Sequence, residues 1–123
     1  MVDESADKQA VMRETPSCLR RVRKRQGRCY ELASRVVLRE RGSGWTLIHG
    51  HLHAKVPSVP YSHAWLERNG EVYDTVQDLW FSITQFVMMY EAVIDHSYSA
   101  NEAAVAVAEH GHHGPWSDAA GMA

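Results

Sequence analysis

Residues 61–76 read YSHAWLERNGEVYDTV, and this stretch carries the clearest structural signal in the chain. Two segments with β-branched and aromatic residues flank Asn69-Gly70, the pair that two-residue type I′ hairpin turns favour. The pattern predicts a hairpin with strands over residues 61–68 and 71–76. With this turn, Trp65 lies opposite Asp74, and directly opposed residues share one face of a sheet.

The same register predicts a pair of functional side chains. His63 alternates with Trp65 and therefore shares its face, so that His63 and Asp74 become diagonal neighbours about 7–8 Å apart at the backbone. A carboxylate beside an imidazole can fix its tautomer and favour its charged form. The hairpin thus supplies a base and the group that orients it.

A helix is predicted from about Cys29 to Arg41, upstream of the hairpin. Leu32, Val36 and Val37 give it one apolar face, and Gly42 marks its end.

Cys29 opens this helix and is the predicted nucleophile. The helix dipole stabilises a thiolate in the first turn, and the free backbone N–H groups there can hold an oxyanion. Gly27, two residues earlier, would let another backbone approach closely. The residues also fit a plainer interpretation, in which Cys29 is an ordinary buried cysteine and His63–Asp74 is a simple cross-strand pair.

The remaining pattern predicts one α+β domain over residues 17–123, after a disordered N-terminal arm over residues 1–16. We expect a strand from Trp45 to Val56 and helices over about Ser82–Val93 and from Ser99, where Ser99 and Glu102 fit a capping box. A helix, three strands and two further helices indicate a nucleophile helix packed on a small antiparallel sheet, with flanking C-terminal helices.

The motif HAWLE at residues 63–67, followed by GEVYDT at residues 70–75, resembles the signature of transglutaminase-like proteins. The segment GRCYELA at residues 27–33 resembles the nucleophile segment of lasso-peptide leader peptidases. The family usually has proline and threonine after the aspartate, where this chain has Thr75 and Val76. The resemblance covers about residues 27–77. The whole chain, with GHHGPW at residues 111–116 as a closing motif, also resembles small phage and prophage proteins.

This resemblance implies a papain/transglutaminase-like fold in which Cys29 is the nucleophile, His63 the general base and Asp74 the orienter. It implies a cysteine hydrolase or acyltransferase that acts on an amide, ester or thioester bond of a peptide or a small substrate. No cofactor and no metal are expected for this chemistry. Gln26 is a candidate for the oxyanion hole by proximity to Cys29.

Charge is distributed unevenly along the chain. Residues 1–41 carry 11 basic and 6 acidic side chains, whereas residues 42–123 carry 2 and 9. The basic residues cluster between Arg20 and Arg28, where a contact with phosphate is conceivable. No aromatic residue interleaves this cluster, so a solvated segment is the favoured interpretation. The alternative function is a non-catalytic binding module of the same fold that contacts nucleic acid or protein through this segment.

No apolar stretch is long enough for a membrane span, and the acidic start lacks the apolar region of a signal peptide. We therefore expect a cytoplasmic protein with no membrane partner. The spacing of Cys18 and Cys29 allows a disulfide, but free thiols suit this compartment better.

His49, His51 and His53 alternate along the predicted first strand. Imidazoles so placed can bind a transition metal, but same-face residues about 7 Å apart would bring at most two of them to one ion. A polar sheet face that lines the cleft near His63 is the favoured interpretation, and a metal-binding protein is a third hypothesis.

Overall fold

The computed structural model describes residues 14–53 and 60–116 of the chain. After a short 3-10 helix at Ser17–Leu19, the described residues form five strands and three α-helices. The strands are β1 (Thr46–His53), β2 (Pro60–Arg68), β3 (Glu71–Asp74), β4 (Leu79–Ser82) and β5 (Val93–Tyr98). The helices are α1 (Cys29–Arg39), α2 (Ile83–Tyr90) and α3 (Ala100–His110). The predicted α+β class with an antiparallel sheet is confirmed.

The sheet has the strand order β4-β3-β2-β1-β5, and every neighbouring pair is antiparallel. The β2–β3 register places Arg68 opposite Glu71 and Leu66 opposite Tyr73, as the sequence predicts. Asn69 and Gly70 both have positive φ angles, 53° and 79°, as a type I′ turn requires.

The two faces of the sheet are covered by different helices. Helix α1 packs its apolar stripe on one face, in a core that also contains Ala103 of α3 and Trp116. Helix α2 covers the opposite face with Phe86, which packs against Trp65 and the surrounding apolar side chains of the sheet. Because both faces are covered, β1 and β2 lie in the interior of the domain.

The expected three-stranded sheet is wrong, since β4 and β5 extend it on opposite edges. Leu79, which stands at helical spacing from Ile83 and Phe86, belongs to β4. The helix after it runs only from Ile83 to Tyr90, and β5 begins at Val93, the residue at which we expected that helix to end. The capping box of Ser99 and Glu102 is confirmed.

Two expectations fall wholly or partly outside the described residues. The expected disordered arm over residues 1–16 is described only from Glu14, and there Thr15 Oγ1 donates a 2.8 Å hydrogen bond to Asp78. The end of the first expected strand, residues 54–56, is not described. No described helix has the length and apolar character that a membrane crossing requires.

Candidate active site

Cys29 occupies the first position of α1, directly after Arg28. The chain enters the helix through Gly27, whose φ of 77° is in the left-handed region that glycine adopts without strain. A Cβ on Gly27 would meet no atom within 4 Å, so its role is backbone conformation rather than the close approach expected from the sequence. Because Cys29 lies in the first turn, its backbone N–H has no acceptor within the helix.

His63 projects from β2 on the face opposite to α1, and it is 9% exposed. Its Nε2 atom lies 2.8 Å from Oδ2 of Asp74. The Cys29 side chain lies near enough to the imidazole to raise the pKa of His63. Since Nε2 is engaged by Asp74, Nδ1 is the ring nitrogen that remains for the sulfur.

The strand lengths explain how a helix on one face can reach a histidine on the other. β3 ends at Asp74, whereas β2 continues to Pro60. The Cys29 end of α1 therefore meets His63 where β2 extends past its neighbour. Tyr30 of α1 and Ser62 of β2 lie close enough for Ser62 to affect the pKa of Tyr30, which places the same two elements side by side.

Asp74 is 1% exposed, and four hydrogen bonds hold its carboxylate. Oδ2 accepts from His63 and, at 3.2 Å, from Nε2 of Gln77. Oδ1 accepts from the backbone N–H groups of Val76 at 2.9 Å and Gln77 at 3.1 Å. Tyr90 in turn donates its hydroxyl to Oε1 of Gln77 at 3.2 Å. The carboxylate is thus fixed in position by the turn that follows it.

The electrostatics favour a charged His63. Burial by itself would lower the pKa of the imidazole, but its hydrogen bonds to Asp74 and Cys29, together with their charges, raise that pKa to about 9. Burial would likewise raise the pKa of Asp74, but the bonds and charge from His63 and the bonds from Gln77 lower it. At neutral pH the pair is an imidazolium beside a carboxylate.

The three predicted residues line one cleft of about 390 Å³. Gln26 and Gly27 form part of its wall beside Cys29, and Leu52, Tyr61 and Tyr90 give another part of it an apolar and aromatic character. Gln26 is therefore placed where an oxyanion donor would be useful, next to the free N–H of Cys29.

The histidines of β1 do not line this cleft, so that expectation is wrong. His63 lies opposite Gly50 in the β1–β2 pair, which puts His49 and His51 on the other face. His49 is buried among the rings of Tyr30, Tyr98 and Trp116. His51 pairs with Asp95 at 2.7 Å. No group of three or more potential metal ligands occurs within residues 14–53 and 60–116.

Both cysteines are free thiols. Burial, followed by the charge of Glu40, raises the pKa of Cys18, which makes it a poor nucleophile at neutral pH.

Sequence reasoning missed Gln77, Tyr90 and Arg25 as supports of the site. Arg25 donates from Nη1 to the carbonyl of Thr75 at 2.7 Å and from Nη2 to that of Leu19 at 2.8 Å. It thereby fastens the segment before Cys29 to the turn after Asp74. A glutamine three residues after a strand-end aspartate was visible in the sequence, but nothing there showed that the chain turns back at this point.

No protein family model, no curated protein and no solved structure matches this chain. The transglutaminase-like resemblance rests on residues 27–77 alone.

Proposed function

We propose that this protein is a thiol-dependent hydrolase or acyltransferase, with Cys29 as nucleophile, His63 as proton carrier and Asp74 as orienter. The observation that carries the proposal is the position of Cys29 beside His63, which in turn bonds to a buried carboxylate held by four hydrogen bonds. If His63 and Asp74 were only a structural cross-strand pair, neither a thiol beside the imidazole nor a cleft next to the pair would be expected. From the resemblance of residues 27–77 to transglutaminase-like proteins we also propose a papain/transglutaminase-like fold. A cytoplasmic location is a separate proposal.

The reaction follows from these positions. The sulfur of Cys29 attacks the carbonyl carbon of an amide, ester or thioester, and the carbonyl π electrons move to oxygen to give a tetrahedral oxyanion. The backbone N–H of Cys29 and the side chain of Gln26, both at the wall of the cleft, are the candidate donors to that oxygen.

Collapse of the oxyanion expels the leaving group, which takes the proton from His63. This leaves a thioester between Cys29 and the acyl group, with a neutral imidazole beside it. His63 then removes a proton from the incoming water or amine, whose attack on the thioester releases the product and returns the thiolate. Asp74 keeps Nε2 occupied throughout, so that Nδ1 faces the reacting atoms.

The experiment is the pH profile of iodoacetamide alkylation, followed by mass spectrometry at Cys29 and Cys18 in the same sample. We expect Cys29 to react at least about tenfold faster than Cys18 at pH 6, because only Cys29 has an imidazolium to stabilise its thiolate. In His63→Ala the two cysteines should react at similar rates. His51→Ala, which removes a histidine outside the cleft, is the matched control.

Equal reactivity of the two cysteines in the wild-type protein would overturn the enzyme proposal. The binding module of the same fold would then be the function to test.

A further inference from the structure

A second cavity adjoins the catalytic cleft. It measures about 470 Å³ and is lined by Arg23, Lys24, Arg25, Gln26 and Val76. Gln26 and Val76 also line the catalytic cleft, so the two spaces are neighbours, and we refer to them together as the trough. One end of this trough is formed by a basic segment that precedes the nucleophile by only a few residues.

Two cations of this cavity are not neutralised by the described part of the protein. The Arg28 guanidinium nearby is bound to both carboxylate oxygens of Glu31 at 2.9 Å, and Arg25 is engaged by backbone carbonyls. By contrast, Arg23 and Lys24 are exposed and form no ion pair with any residue in the described ranges. Unpaired charges beside a cleft attract anionic groups of a ligand.

The segment that carries them is held in place. Its backbone is turned by hydrogen bonds from Val22 N–H to Leu19 at 3.0 Å and from Arg28 N–H to Arg25 at 3.0 Å. The Arg25 side chain, 10% exposed, fastens it to the carbonyl of Thr75. The backbone that carries the two cations is therefore fixed relative to Cys29, which lowers the entropic cost of binding a ligand there.

The catalytic cleft is apolar and aromatic in part, in contrast to the basic second cavity. Leu52, Tyr61 and Tyr90 line the catalytic cleft, whereas the residues of the second cavity include no aromatic side chain. Bases of a single-stranded nucleic acid bind by stacking on aromatic rings. The described residues around Arg23 and Lys24 offer no ring, so this cavity fits carboxylates better than stacked bases.

We propose that the substrate is an acidic peptide whose carboxylates bind Arg23 and Lys24, on one side of the bond that Cys29 attacks. An extended peptide advances about 3.3 Å per residue, so a few residues on one side of the scissile bond suffice to reach the second cavity. An apolar side chain on the other side of the scissile bond contacts Tyr61 and Tyr90. This inference rests on the proposed thiol chemistry and names the class of substrate for it.

The test compares electrophilic peptides that differ only in charge. Iodoacetyl-Gly-Gly-Asp-Asp-amide and acetyl-Asp-Asp-Gly-Gly chloromethyl ketone cover both chain directions, and each has a neutral twin with Asn in place of Asp. The rate of labelling at Cys29 is measured for each probe at low ionic strength. In at least one direction we expect the acidic probe to react about tenfold faster than its twin.

Two double variants distinguish the effect of the cavity from the effect of the protein's overall charge. Arg23→Gln/Lys24→Gln should bring the ratio of acidic to neutral labelling to within about twofold of one, since it removes both unpaired cations. Arg20→Gln/Arg21→Gln loses the same charge from exposed residues outside the cavity, and it should keep most of the preference. Thermal unfolding followed by circular dichroism verifies that the variants fold.

Three results would overturn the inference. The first is a ratio near one for the wild-type protein in both directions, and the second is an unchanged ratio in Arg23→Gln/Lys24→Gln. The third is protection of Cys29 from iodoacetamide by a 12-nucleotide single-stranded DNA at concentrations where an Asp-Asp peptide gives none, which would assign the cavity to nucleic acid. If Cys29 reacts with iodoacetamide but shows no preference between the peptides, the proposed thiol chemistry still holds and only the substrate class is wrong. If Cys29 of the wild-type protein does not react with iodoacetamide, both proposals are wrong.

Discussion

His63 and Asp74 face each other diagonally across the β2–β3 hairpin, with 2.8 Å between Nε2 and Oδ2. This bond opposes the effect of burial, which by itself would lower the pKa of the imidazole. In Asp74→Asn we therefore expect the pKa of His63 to fall from about 9 to below its ordinary value of about 6.5. An NMR titration of the His63 Cε1–H resonance measures it.

Asp78→Asn is the control for this titration, because Asp78 lies in the same turn but bonds to Tyr73 instead. A His63 midpoint that stays near 9 in Asp74→Asn would show that the carboxylate does not set the charge of the imidazole.

His49 should make the protein less stable in acid. Burial, followed by the charge of His96, lowers its pKa to about 4 from 6.5. Between these two pH values the unfolded chain binds a proton at His49 and the folded protein does not. The contribution of His49 to stability is therefore fully present above pH 6.5 and declines as the pH falls toward 4. The expected loss from this residue is roughly 3 kcal/mol, measured by urea unfolding between pH 7 and pH 4.

His49→Phe keeps a ring among the surrounding aromatic side chains and removes the titration. The difference in stability between this variant and the wild type should therefore grow in favour of the variant as the pH falls. Parallel pH curves for the two proteins would contradict this account.

Arg25→Ala should destabilise the fold by about 2–3 kcal/mol, since it leaves the carbonyls of Leu19 and Thr75 without their charged donor. Arg20→Ala removes an exposed guanidinium that lies 3.8 Å from Glu14, and we expect less than about 0.5 kcal/mol from it. Chemical denaturation measures both changes. Similar losses in the two variants would show that Arg25 is no more than a surface charge.

Gly50→Ala should abolish the native fold or cost more than about 3 kcal/mol. A Cβ at this position would lie 2.2 Å from the carbonyl oxygen of Val93 and 2.7 Å from Cη2 of Trp65. Gly42→Ala is the instructive comparison, because Gly42 has space around it but a φ of 88°. That variant should lose only about 1 kcal/mol. A folded, stable Gly50→Ala protein would mean that β5 can move away from β1.

The central hairpin could be predicted from the sequence because its turn fixes its register. Asn69-Gly70 admits one close pairing of the flanking residues, and that pairing determines which side chains share a face. The contact between His63 and Asp74 followed from this local rule. Helix α1 could be predicted equally well, because an apolar stripe followed by glycine is a signal within one element.

The two strands at the edges of the sheet could not be predicted in the same way. In β4, Leu79 stands at helical spacing from Ile83 and Phe86, and four residues are too few to show alternation. Five of the six residues of β5 are exposed, so no apolar alternation distinguishes this strand from a loop. Their pairing partners alone define them.

The supports of the site depend on tertiary contacts that no spacing reveals. Arg25 belongs to a run of basic residues whose members look alike in the sequence, yet only the path of the chain past Thr75 gives this arginine its acceptors. The same applies to Gln77, whose bond to Asp74 depends on the turn between them.

The two halves of the candidate site differ in how far apart their residues lie along the chain. The bond between His63 and Asp74 joins residues 11 positions apart along the chain, whereas Cys29 is separated from His63 by the rest of α1 and by β1. Short loops close with less loss of entropy than long ones. The imidazole and its carboxylate can thus meet early in folding, while the thiol receives its partner only when α1 docks on the sheet. If the proposed thiol chemistry holds, a newly made or partly unfolded chain carries a cysteine without its partner, and the reactivity of Cys29 reports completion of the tertiary structure.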